Sequence, residues 1–285
     1  MIIHSVQPDE TIYSIADNYG VSANWLIIHN QVNNPNKLVV GQSILVLFTK
    51  ETYRVQGGDT LAGIADSHGV SAMQLLKNNP NLSDRKYIYP GEEIIIRLSD
   101  EKIMEISTNG YAFPFIDTNI LRKTLPYLTY FTIFYYRITM DGDIIDIKDQ
   151  ELIDIAIEYG VAPIILISTL TDTGIADIAA AHSIFTSKDK QNDLINRVLA
   201  NMKKKGYYGL NIDIQNVQQE DRQLYIDFIT NISSRVRQEG YLVLITLTPN
   251  TFQSETEIMY QGPEYATLGQ LTDSTMLFGF VMPAI

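Results

Sequence analysis

The stretch "VQPDETIYSIADNYGVSANWLIIHN" (Val6 to Asn30) recurs as "VQGGDTLAGIADSHGVSAMQLLKNN" (Val55 to Asn79) at a constant offset. Each copy then closes with a similar aliphatic segment, "LVVGQSILV" (Leu38 to Val46) in the first and "IYPGEEIII" (Ile88 to Ile96) in the second. Self-similarity at a fixed period is typical of repeated structural modules. The first third of the chain therefore predicts two copies of one small fold.

Each copy predicts the order strand, helix, helix, strand. In the first copy, Thr11 can cap the first helix, Gly20 can end it, and Ser22 can cap the second helix. The counterparts in the second copy are Thr60, Gly69 and Ser71. Apolar residues follow helical spacing between these signals, as in a helix that buries one face. The repeat therefore predicts two small α+β modules of βααβ order.

The two copies resemble LysM domains. The resemblance rests on the "VQPDET" and "VQGGDT" openings, the "IADNYGVS" and "IADSHGVS" centres, and the "NPN" and later "GQ" or "GE" of each close. The first copy departs slightly, since "PDET" stands where the second has "GGDT". LysM domains bind the N-acetylglucosamine-containing backbones of peptidoglycan or chitin, so the resemblance implies glycan binding. It also implies modules at residues 1–48 and 51–98.

The resemblance further implies a shallow groove in each module, between the loop before the first helix and the loop after the second. The candidate glycan-binding residues of the first module are Asp9, Glu10, Thr11, Asn33, Asn34 and Pro35. Those of the second module are Gly58, Asp59, Thr60, Leu61, Asn79, Pro80 and Asn81. Asp, Asn, Gly and Pro are also the residues that turns favour, so a structural role at any single position stays open.

After a short charged join, aliphatic runs alternate with helical periodicities. The predicted strands are "IMEIST" (103–108), "YFTIFYYRIT" (130–139), "APIILIS" (162–168), "YGLNIDI" (208–214), "YLVLITLT" (241–248) and "TMLFGFV" (275–281). The predicted helices are "DQELIDIAIEYG" (149–160), "KDKQNDLINRVLANMKKKG" (188–206) and "EDRQLYIDFITNISSRVRQEG" (220–240). Strands that alternate with amphipathic helices are typical of parallel βα units, in a barrel or an open sheet.

A row of polar residues marks the fourth predicted strand. In "YYGLNIDIQNV" (207–217), Asn211, Asp213 and Gln215 recur at every second position, with aliphatic residues between them. Successive side chains of a strand point to opposite faces, so the three share one face. In a βα barrel the active site lies at the C-terminal ends of the strands. Asp213 and Gln215 are predicted to close this strand, and so to lie at such a site.

Residues 103–285 resemble family 18 glycoside hydrolases, and more narrowly the bacterial spore cortical-fragment-lytic enzymes, which join two LysM domains to a TIM barrel. The stretches that carry the resemblance are "NGYAFPFI" (109–116), "FYYRITMDGDI" (134–144), "AHSIFTS" (181–187) and "GYYGLNIDIQNV" (206–217). The family's fourth strand ends in Asp, any residue, Glu. Asn211 and Asp213 fit that pattern, whereas Gln215 stands in the place of the final Glu.

The substitution at Gln215 has a chemical meaning. Family 18 enzymes use substrate-assisted hydrolysis, in which the substrate's acetamido oxygen attacks the anomeric carbon while a glutamic acid protonates the leaving oxygen. The resemblance implies that Asp213 orients and supports the acetamido group. An amide has no proton to give, and general acid catalysis contributes roughly 10²- to 10⁴-fold in rate. Glu220 and Asp221 are close in sequence, but they open a predicted helix, where acids favour the N-terminal dipole.

Two features near the C-terminus also depart from the family. The sixth strand usually presents a tyrosine that helps to hold the acetamido group, and Phe280 stands at the aligned position without a hydroxyl. Only about six strands are predicted between Ile103 and Ile285, against the eight of a closed barrel. We therefore expect a TIM-barrel-like domain that is incomplete at its C-terminus.

Composition excludes several classes of function. The chain has 285 residues and no cysteine, which excludes disulfide scaffolds, thiolate metal sites and cysteine nucleophiles. With 4 histidines, a multi-histidine metal site is not expected, and no metal or cofactor is predicted. A net charge of −12 argues against general binding to nucleic acid. No apolar run approaches the ~20 residues that span a bilayer, and the N-terminus lacks the pattern of a secretory signal.

Two hypotheses of function follow. In the first, the chain binds peptidoglycan or a chitin-like glycan through its LysM modules, and its barrel-like domain has little or no activity. In the second, it is an N-acetylglucosaminidase of the spore cortex type whose acid has been changed to Gln215; a truncated product is a third reading. The otherwise intact fourth-strand motif favours the second. The resemblance implies a bacterial spore surface or cortex, or a cell wall, and leaves the oligomeric state open.

Overall fold

The computed structural model describes residues 1–99, 104–215, 217–247 and 265–277, together with the backbone of two short strands within 251–260. The chain forms two compact units. The first unit consists of Met1–Ser107 and Asp117–Tyr127, and the second of Thr108–Ile116 and Leu128–Ile285. The first unit therefore holds both predicted modules and one short segment from the region that was assigned to the barrel-like domain.

The first unit contains the two repeated modules and one further helix. The first module consists of β1 (Ile2–Ser5), α1 (Ile12–Tyr19), α2 (Ala23–Asn30) and β2 (Ser43–Val46). The second consists of β3 (Thr49–Arg54), α3 (Leu61–His68), α4 (Ala72–Asn78), a 3-10 turn (Pro80–Leu82) and β4 (Glu93–Leu98), and the further helix is α5 (Thr118–Thr124). β1 pairs antiparallel with β2, and β3 with β4. The predicted order of elements is confirmed in both copies.

Each module buries a small apolar core between its helices and its two strands. The first core consists of Val6, Ile12, Ile15, Ala16, Leu26, Ile44 and Val46. The second consists of Val55, Ile64, Ala65, Leu75, Leu82, Ile94 and Ile96. Full burial of one aliphatic side chain of this kind contributes roughly 1.5–3 kcal/mol. In the first core, Val6, Ile15, Ala16 and Leu26 occupy the positions that Val55, Ile64, Ala65 and Leu75 occupy in the second. The two copies share one fold because their helices bury the same positions.

Helix capping follows the sequence with one exception. The hydroxyls of Thr11 and Thr60 accept hydrogen bonds from the backbone N–H groups three residues on. The predicted glycines end α1 and α3 in the left-handed conformation, which glycine adopts freely. Ser71 caps α4 in the same way, whereas Ser22 stands at the N-cap position of α2 without accepting a backbone hydrogen bond. The predicted capping role of the Ser22 side chain is therefore wrong.

The second unit is built on a parallel sheet. Its elements in chain order are β5 (Asn109–Ala112), β6 (Tyr130–Ile138), β7 (Ile144–Ile145), α6 (Gln150–Glu158), β8 (Ala162–Ser168), α7 (Ile178–Thr186), α8 (Lys188–Lys205), β9 (Gly209–Asp213), α9 (Arg222–Gln238), β10 (Leu242–Leu247), β11 (Thr251–Gln253), β12 (Ile258–Tyr260), α10 (Tyr265–Leu271) and β13 (Ser274–Leu277). β5, β6, β8, β9, β10 and β13 lie side by side in that order, and each neighbouring pair is parallel. This is the strand order of a TIM-barrel wall.

The helices of the second unit pack around this sheet. The three predicted helices are observed as α6, α8 and α9, and each buries an apolar stripe. α7 was not predicted, because its sequence is apolar and small on several faces and shows no clear helical periodicity. Within the described residues, no helix combines the length and the apolar character that a bilayer crossing requires.

β9 lies at the centre of the sheet, between β8 and β10, and all its residues are buried. Gly209 begins this strand at a point where its neighbours pass very closely. A Cβ at this position would come within 2.8 Å of the Leu242 carbonyl oxygen. Glycine is therefore required here, because any side chain would push the two strands apart.

The structure corrects the first predicted strand and the end of the fourth. Residues 104–108 form no strand, and β5 begins only at Asn109. Met104 and Ile106 are each 70% exposed, so the apolar alternation in "IMEIST" is not the buried face of a strand. β9 ends at Asp213, so Gln215 follows the strand and does not close it. The fourth-strand prediction was therefore correct in place, but its range of 208–214 was one residue too long at each end.

Candidate functional site

The loop before the first helix of each module is held by a carboxylate. Glu10 accepts a hydrogen bond from the Gln7 backbone N–H at 2.8 Å, and Asp59 accepts the equivalent bond from Gln56 at 2.7 Å. The backbone hydrogen bond from Gln7 lowers the pKa of Glu10 below its ordinary value. Both predicted binding residues therefore fold the turn in which they lie.

The residue before each carboxylate has an unusual backbone conformation. Asp9 has φ of 67° and Gly58 has φ of 91°, so both lie in the left-handed region. Both residues are exposed. Glycine adopts this conformation at little cost, and aspartate tolerates it better than most other residues do. The first copy, with "PDET" in place of "GGDT", therefore keeps the shape of the turn, but its Asp9 adopts the left-handed conformation at a higher cost than Gly58 does.

The three predicted residues at the start of the first helices act mainly on those helices. Thr11 and Thr60 cap α1 and α3, and Leu61 packs partly buried against the core of the second module. In the first module, the Ile12 backbone N–H donates a hydrogen bond to the Pro35 carbonyl oxygen at 3.2 Å. This bond brings together the two loops that were predicted to flank the groove.

The loops after the second helices present exposed amides. Asn33 and Asn34 are exposed in the first module, and Asn81 is exposed in the second, where Pro80 begins the 3-10 turn. Exposed amide groups at a turn can donate to and accept from the acetamido groups of a sugar chain. These positions are therefore the best placed of the candidate residues for contact with a ligand.

Asn79 differs from its neighbours because it is fully buried. Its amide nitrogen donates to the carbonyl oxygens of Leu75 and Ile95, each at 2.8 Å, and its amide oxygen accepts from the Ile95 N–H at 2.8 Å. Asn30 makes the same three kinds of contact in the first module. Asn79 ties the end of α4 to β4, so its side chain has no group left to offer to a glycan. We correct its assignment to a structural one.

A polar cluster lies along β9 in the second unit. Asn211 is fully buried, and its amide nitrogen donates to the Tyr111 hydroxyl oxygen at 2.9 Å. The Thr246 hydroxyl donates to the amide oxygen of Asn211 at 3.0 Å. Burial raises the pKa of the Tyr111 hydroxyl above its ordinary value. Three strands, β5, β9 and β10, therefore contribute one side chain each to a hydrogen-bonded group next to Asp213.

Asp213 and Gln215 contact each other directly. The amide nitrogen of Gln215 lies 3.2 Å from Oδ1 and 3.4 Å from Oδ2 of Asp213. Burial raises the pKa of Asp213 to about 6, and the hydrogen bond from Gln215 opposes this rise. Gln215 is itself only partly buried. The arrangement presents a carboxylate that can support a developing positive charge, beside an amide that can only donate a hydrogen bond.

The structure adds two residues to the predicted site. Tyr111 lies in "NGYAFPFI", which carried part of the family resemblance, so its place in that stretch was a signal that could have identified it. Thr246 lies in a plain aliphatic strand and had no such signal. The predicted site residue Phe280 and the end of "TMLFGFV" after Leu277 lie outside the described residues.

Two other acidic residues of the second unit, Asp221 and Asp172, have basic partners of their own. Asp221 is buried and accepts from His182 Nδ1, with distances of 2.8 and 3.0 Å to its two oxygens. Asp172 is exposed and lies 3.4 Å from Arg137. Among the described residues, no group of three or more His, Cys, Asp or Glu side chains is arranged to hold a metal ion.

Comparison with known proteins identifies the repeated modules. The family model described as LysM domain matches residues 4–46 and 53–97. These segments are two LysM domains. They coincide with the two modules described above, each of which has two helices and one pair of antiparallel strands.

The whole chain is also similar to enzymes of bacterial spores. It is 29% identical over 287 residues to the cortical fragment-lytic enzyme of Bacillus anthracis, an alignment that covers 98% of this chain and 65% of the enzyme. The crystal structure of the spore cortex-lytic enzyme SleL of Bacillus megaterium QM B1551 matches with a TM-score of 0.75 and 24% identity, over 99% of this chain and 67% of that one. The predicted resemblance to the spore cortical-fragment-lytic enzymes is confirmed.

The chain also matches a more distant structure. A chitinase from Chromobacterium violaceum ATCC 12472 matches with a TM-score of 0.54 and 17% identity, over 63% of this chain and 57% of the chitinase. At this identity the match concerns the fold alone. The predicted fold, two LysM domains with a TIM-barrel-like domain, is therefore confirmed. The chain spans about 65% of the length of its curated relative.

Proposed function

We propose that this protein binds peptidoglycan or a related N-acetylglucosamine-containing glycan through its LysM domains, and that its barrel-like domain has little or no glycosidase activity. The modules are proposed to extend over residues 1–48 and 51–98, and the barrel-like domain over 103–285. The contact between Gln215 and Asp213 carries the second half of the proposal.

The chemistry of Gln215 supports low turnover. A family 18 reaction needs a proton donor for the leaving oxygen, and an amide does not supply one. Asp221, which is close in sequence, is buried and paired with His182. Tyr111, held by the buried Asn211, and Asp213 nevertheless offer hydrogen-bonding groups to a sugar, so we expect binding without efficient cleavage.

The LysM domains support glycan binding. Their exposed Asn33, Asn34 and Asn81 lie in the loops that are proposed to contact the acetamido groups, with Pro35 and Pro80 shaping those loops. Asp9, Glu10 and Thr11 in the first module, and Gly58, Asp59, Thr60 and Leu61 in the second, are proposed to form the opposite side of each groove. The relative's name, cortical fragment-lytic enzyme, supports the spore cortex or cell wall as the place of binding.

A second function has a specific observation in its favour. Asn211 and Asp213 are buried in the centre of the sheet, and Asn211 is held from both sides by Tyr111 and Thr246. A binding surface alone does not require so constrained a group. The alternative is therefore an N-acetylglucosaminidase with substrate-assisted retaining hydrolysis, in which only the acid has been changed to Gln215.

One experiment separates the two functions. The purified protein and its Gln215→Glu and Gln215→Ala variants are incubated with muropeptides and with chitooligosaccharides, and released sugars are measured. We expect no release by the unchanged protein or by Gln215→Ala, and release by Gln215→Glu. Release by the unchanged protein overturns the inactive assignment. Release by none of the three overturns the view that only the acid is missing.

Glycan binding is tested separately by retention of the full chain on insoluble peptidoglycan. We expect the Asn81→Ala variant to be retained less than the unchanged protein, because an exposed amide of the proposed groove is lost. Failure of the unchanged protein to be retained contradicts the proposed function.

A further inference from the structure

We infer that the first unit holds a binding site for an acidic glycan in the cleft between its two LysM domains, in addition to the groove of each domain. This inference rests on the proposed function. The cleft is defined here by Asn33, Lys77, Pro80, Asn81, Lys123 and Tyr127, and all of these residues belong to the first unit. The ligand is a chain of N-acetylated sugars that carries carboxylate groups.

The charge of the cleft points to an acidic ligand. Lys77 and Lys123 both line it, and both are exposed. None of the described residues that line the cleft is acidic, although the chain has 33 acidic residues against 21 basic ones. In the described part of the chain, no carboxylate forms an ion pair with Lys77, whereas Lys123 lies 2.9 Å from Asp84. At least one cation therefore faces the cleft without compensation.

The cleft continues the surfaces that are proposed to bind sugar. Asn33 belongs to the loop after α2 in the first LysM domain, and Pro80 and Asn81 belong to the corresponding loop of the second. The cleft thus joins the two equivalent loops on one surface. A single sugar chain that lies in the cleft can contact both domains, so the second contact forms at a high effective concentration.

The wall of the cleft suits the apolar face of a sugar ring. Tyr127 lines the cleft and its side chain is 45% exposed, while its hydroxyl lies 3.5 Å from the Lys77 carbonyl oxygen. This places the Tyr127 ring beside the backbone of Lys77, whose side chain also lines the cleft. An aromatic surface beside a cation fits a sugar ring with an attached carboxylate better than it fits a neutral sugar alone.

His29 also lines the cleft and lies between its two LysM domains. Its Nε2 lies 2.9 Å from the Asn78 carbonyl oxygen, in the second LysM domain, and its Nδ1 lies 2.8 Å from the Trp25 carbonyl oxygen. This side chain bridges the end of α2 to the end of α4. The contact connects the two domains that line the cleft, and a ligand site requires such support.

The carboxylate can come from two sources in peptidoglycan: the lactyl group of the muramic acid ring or the attached peptide. The test measures binding of the full chain to three probes by calorimetry. The probes are chitotetraose, which is neutral, a tetrasaccharide of peptidoglycan without peptide, and the same tetrasaccharide with its peptides. The unchanged protein is compared with Lys77→Gln/Lys123→Gln and with Lys50→Gln/Arg54→Gln, a control that removes two exposed cations of β3.

We expect the Lys77→Gln/Lys123→Gln variant to bind at least one acidic probe ~10-fold more weakly and to bind chitotetraose within about 2-fold of the unchanged protein. The control is expected to leave all three affinities within about 2-fold. Whichever acidic probe shows the loss identifies the source of the carboxylate. The loss is expected to shrink at high salt.

The possible failures are distinguishable. If chitotetraose binds normally but neither acidic probe depends on Lys77 and Lys123, the cleft site is wrong and the proposed glycan binding stands. Equal loss for neutral and acidic probes also overturns the cleft site, because it indicates a general effect on the domains. If no probe binds to the unchanged protein, the proposed function fails and the cleft site fails with it.

Discussion

The amide nitrogen of Gln215 donates to the carboxylate of Asp213, at 3.2 Å from one oxygen and 3.4 Å from the other. A glutamic acid at position 215 could make the same contact only when one of the two carboxyl groups is protonated. The amide makes it at any pH. The amide of Gln215 therefore holds the contact with Asp213 but has no proton to transfer to a leaving group.

Replacing Asp213 by asparagine should stabilise the fold in a pH-dependent way. Burial raises the pKa of Asp213 to about 6, above the ordinary value of an aspartate. Its contribution to stability is therefore complete below about pH 4 and is lost as the pH rises through about 6. We expect Asp213→Asn to raise the free energy of unfolding by about 2–3 kcal/mol near pH 8 and to change it little near pH 4.

Urea unfolding of the second unit, followed by hydrogen exchange of its peptides, measures this difference. Asp172→Asn serves as the control, since Asp172 is exposed. An equal effect of Asp213→Asn at both pH values contradicts the assignment of a raised pKa.

Asn79 and Asn81 of the second LysM domain should respond differently to substitution by alanine. Asn79→Ala leaves three buried backbone groups without a hydrogen bond and should reduce the stability of this domain by about 2–4 kcal/mol. Asn81→Ala changes an exposed side chain and should alter stability by less than about 0.5 kcal/mol while it weakens glycan retention. Hydrogen exchange of peptides from residues 53–97 checks the first effect. Equal stability of the two variants contradicts the structural role of Asn79.

Lys205 should stabilise the second unit through a buried network. Its ammonium group donates to Oδ1 of Asp149 at 2.8 Å and to the Tyr136 hydroxyl oxygen at 2.7 Å. The hydroxyls of Tyr136 and Tyr207 both donate to the other oxygen of Asp149. Lys205→Met leaves the buried Asp149 carboxylate without its cation, which should cost about 3–5 kcal/mol.

The same network offers its own controls. Lys204 precedes Lys205 on α8 but is exposed, so Lys204→Met should change the unfolding free energy by less than about 0.5 kcal/mol. Adding Asp149→Asn to Lys205→Met should recover part of the lost stability, because the unpaired charge is removed. Urea titration followed by circular dichroism measures all three variants. A double variant less stable than Lys205→Met overturns the charge explanation.

The two LysM domains provide a matched test of turn strain. Asp9 and Gly58 occupy equivalent positions with positive φ, and a Cβ at Gly58 would meet nothing within 4 Å. Conformation alone should therefore decide the effect of a substitution. We expect Asp9→Gly to stabilise the first domain by about 0.5–1 kcal/mol and Gly58→Asp to destabilise the second by about the same amount.

Trp25, the only tryptophan of the chain, lies on α2 and reports unfolding of the first domain by its fluorescence. Hydrogen exchange of residues 53–97 reports on the second domain. A loss of stability in Asp9→Gly would show that the aspartate side chain matters more to this turn than its backbone conformation does.

Local features of the fold were predictable from the sequence. The repeat at a constant offset predicted two copies of one module, and Thr11, Thr60 and Ser71 predicted the starts of three helices. These signals work because a cap and the N–H group that it binds lie within three residues of each other. The alternation of strands and helices predicted a parallel sheet for a similar reason, since each period is a property of one short segment.

The candidate site could be predicted only in part. Asn211, Asp213 and Gln215 followed from one strand and from a family pattern, but the partner Thr246 carried no signal in its own segment. The motif also did not show that Gln215 lies beyond the end of β9. A strand ends where the adjacent strands stop pairing with it. For β9 these are β8 and β10, which come from distant parts of the chain.

By itself, the sequence determined the repeated LysM domains, the barrel-like order of strands and the amide at position 215. Only the tertiary structure decided that Asn79 is a buried tie to β4 while Asn81 is exposed, and that Tyr111 and Asn211 form one hydrogen bond. The reason is physical: caps and periodicities depend on neighbours along the chain, whereas burial and contacts between strands depend on how distant segments pack.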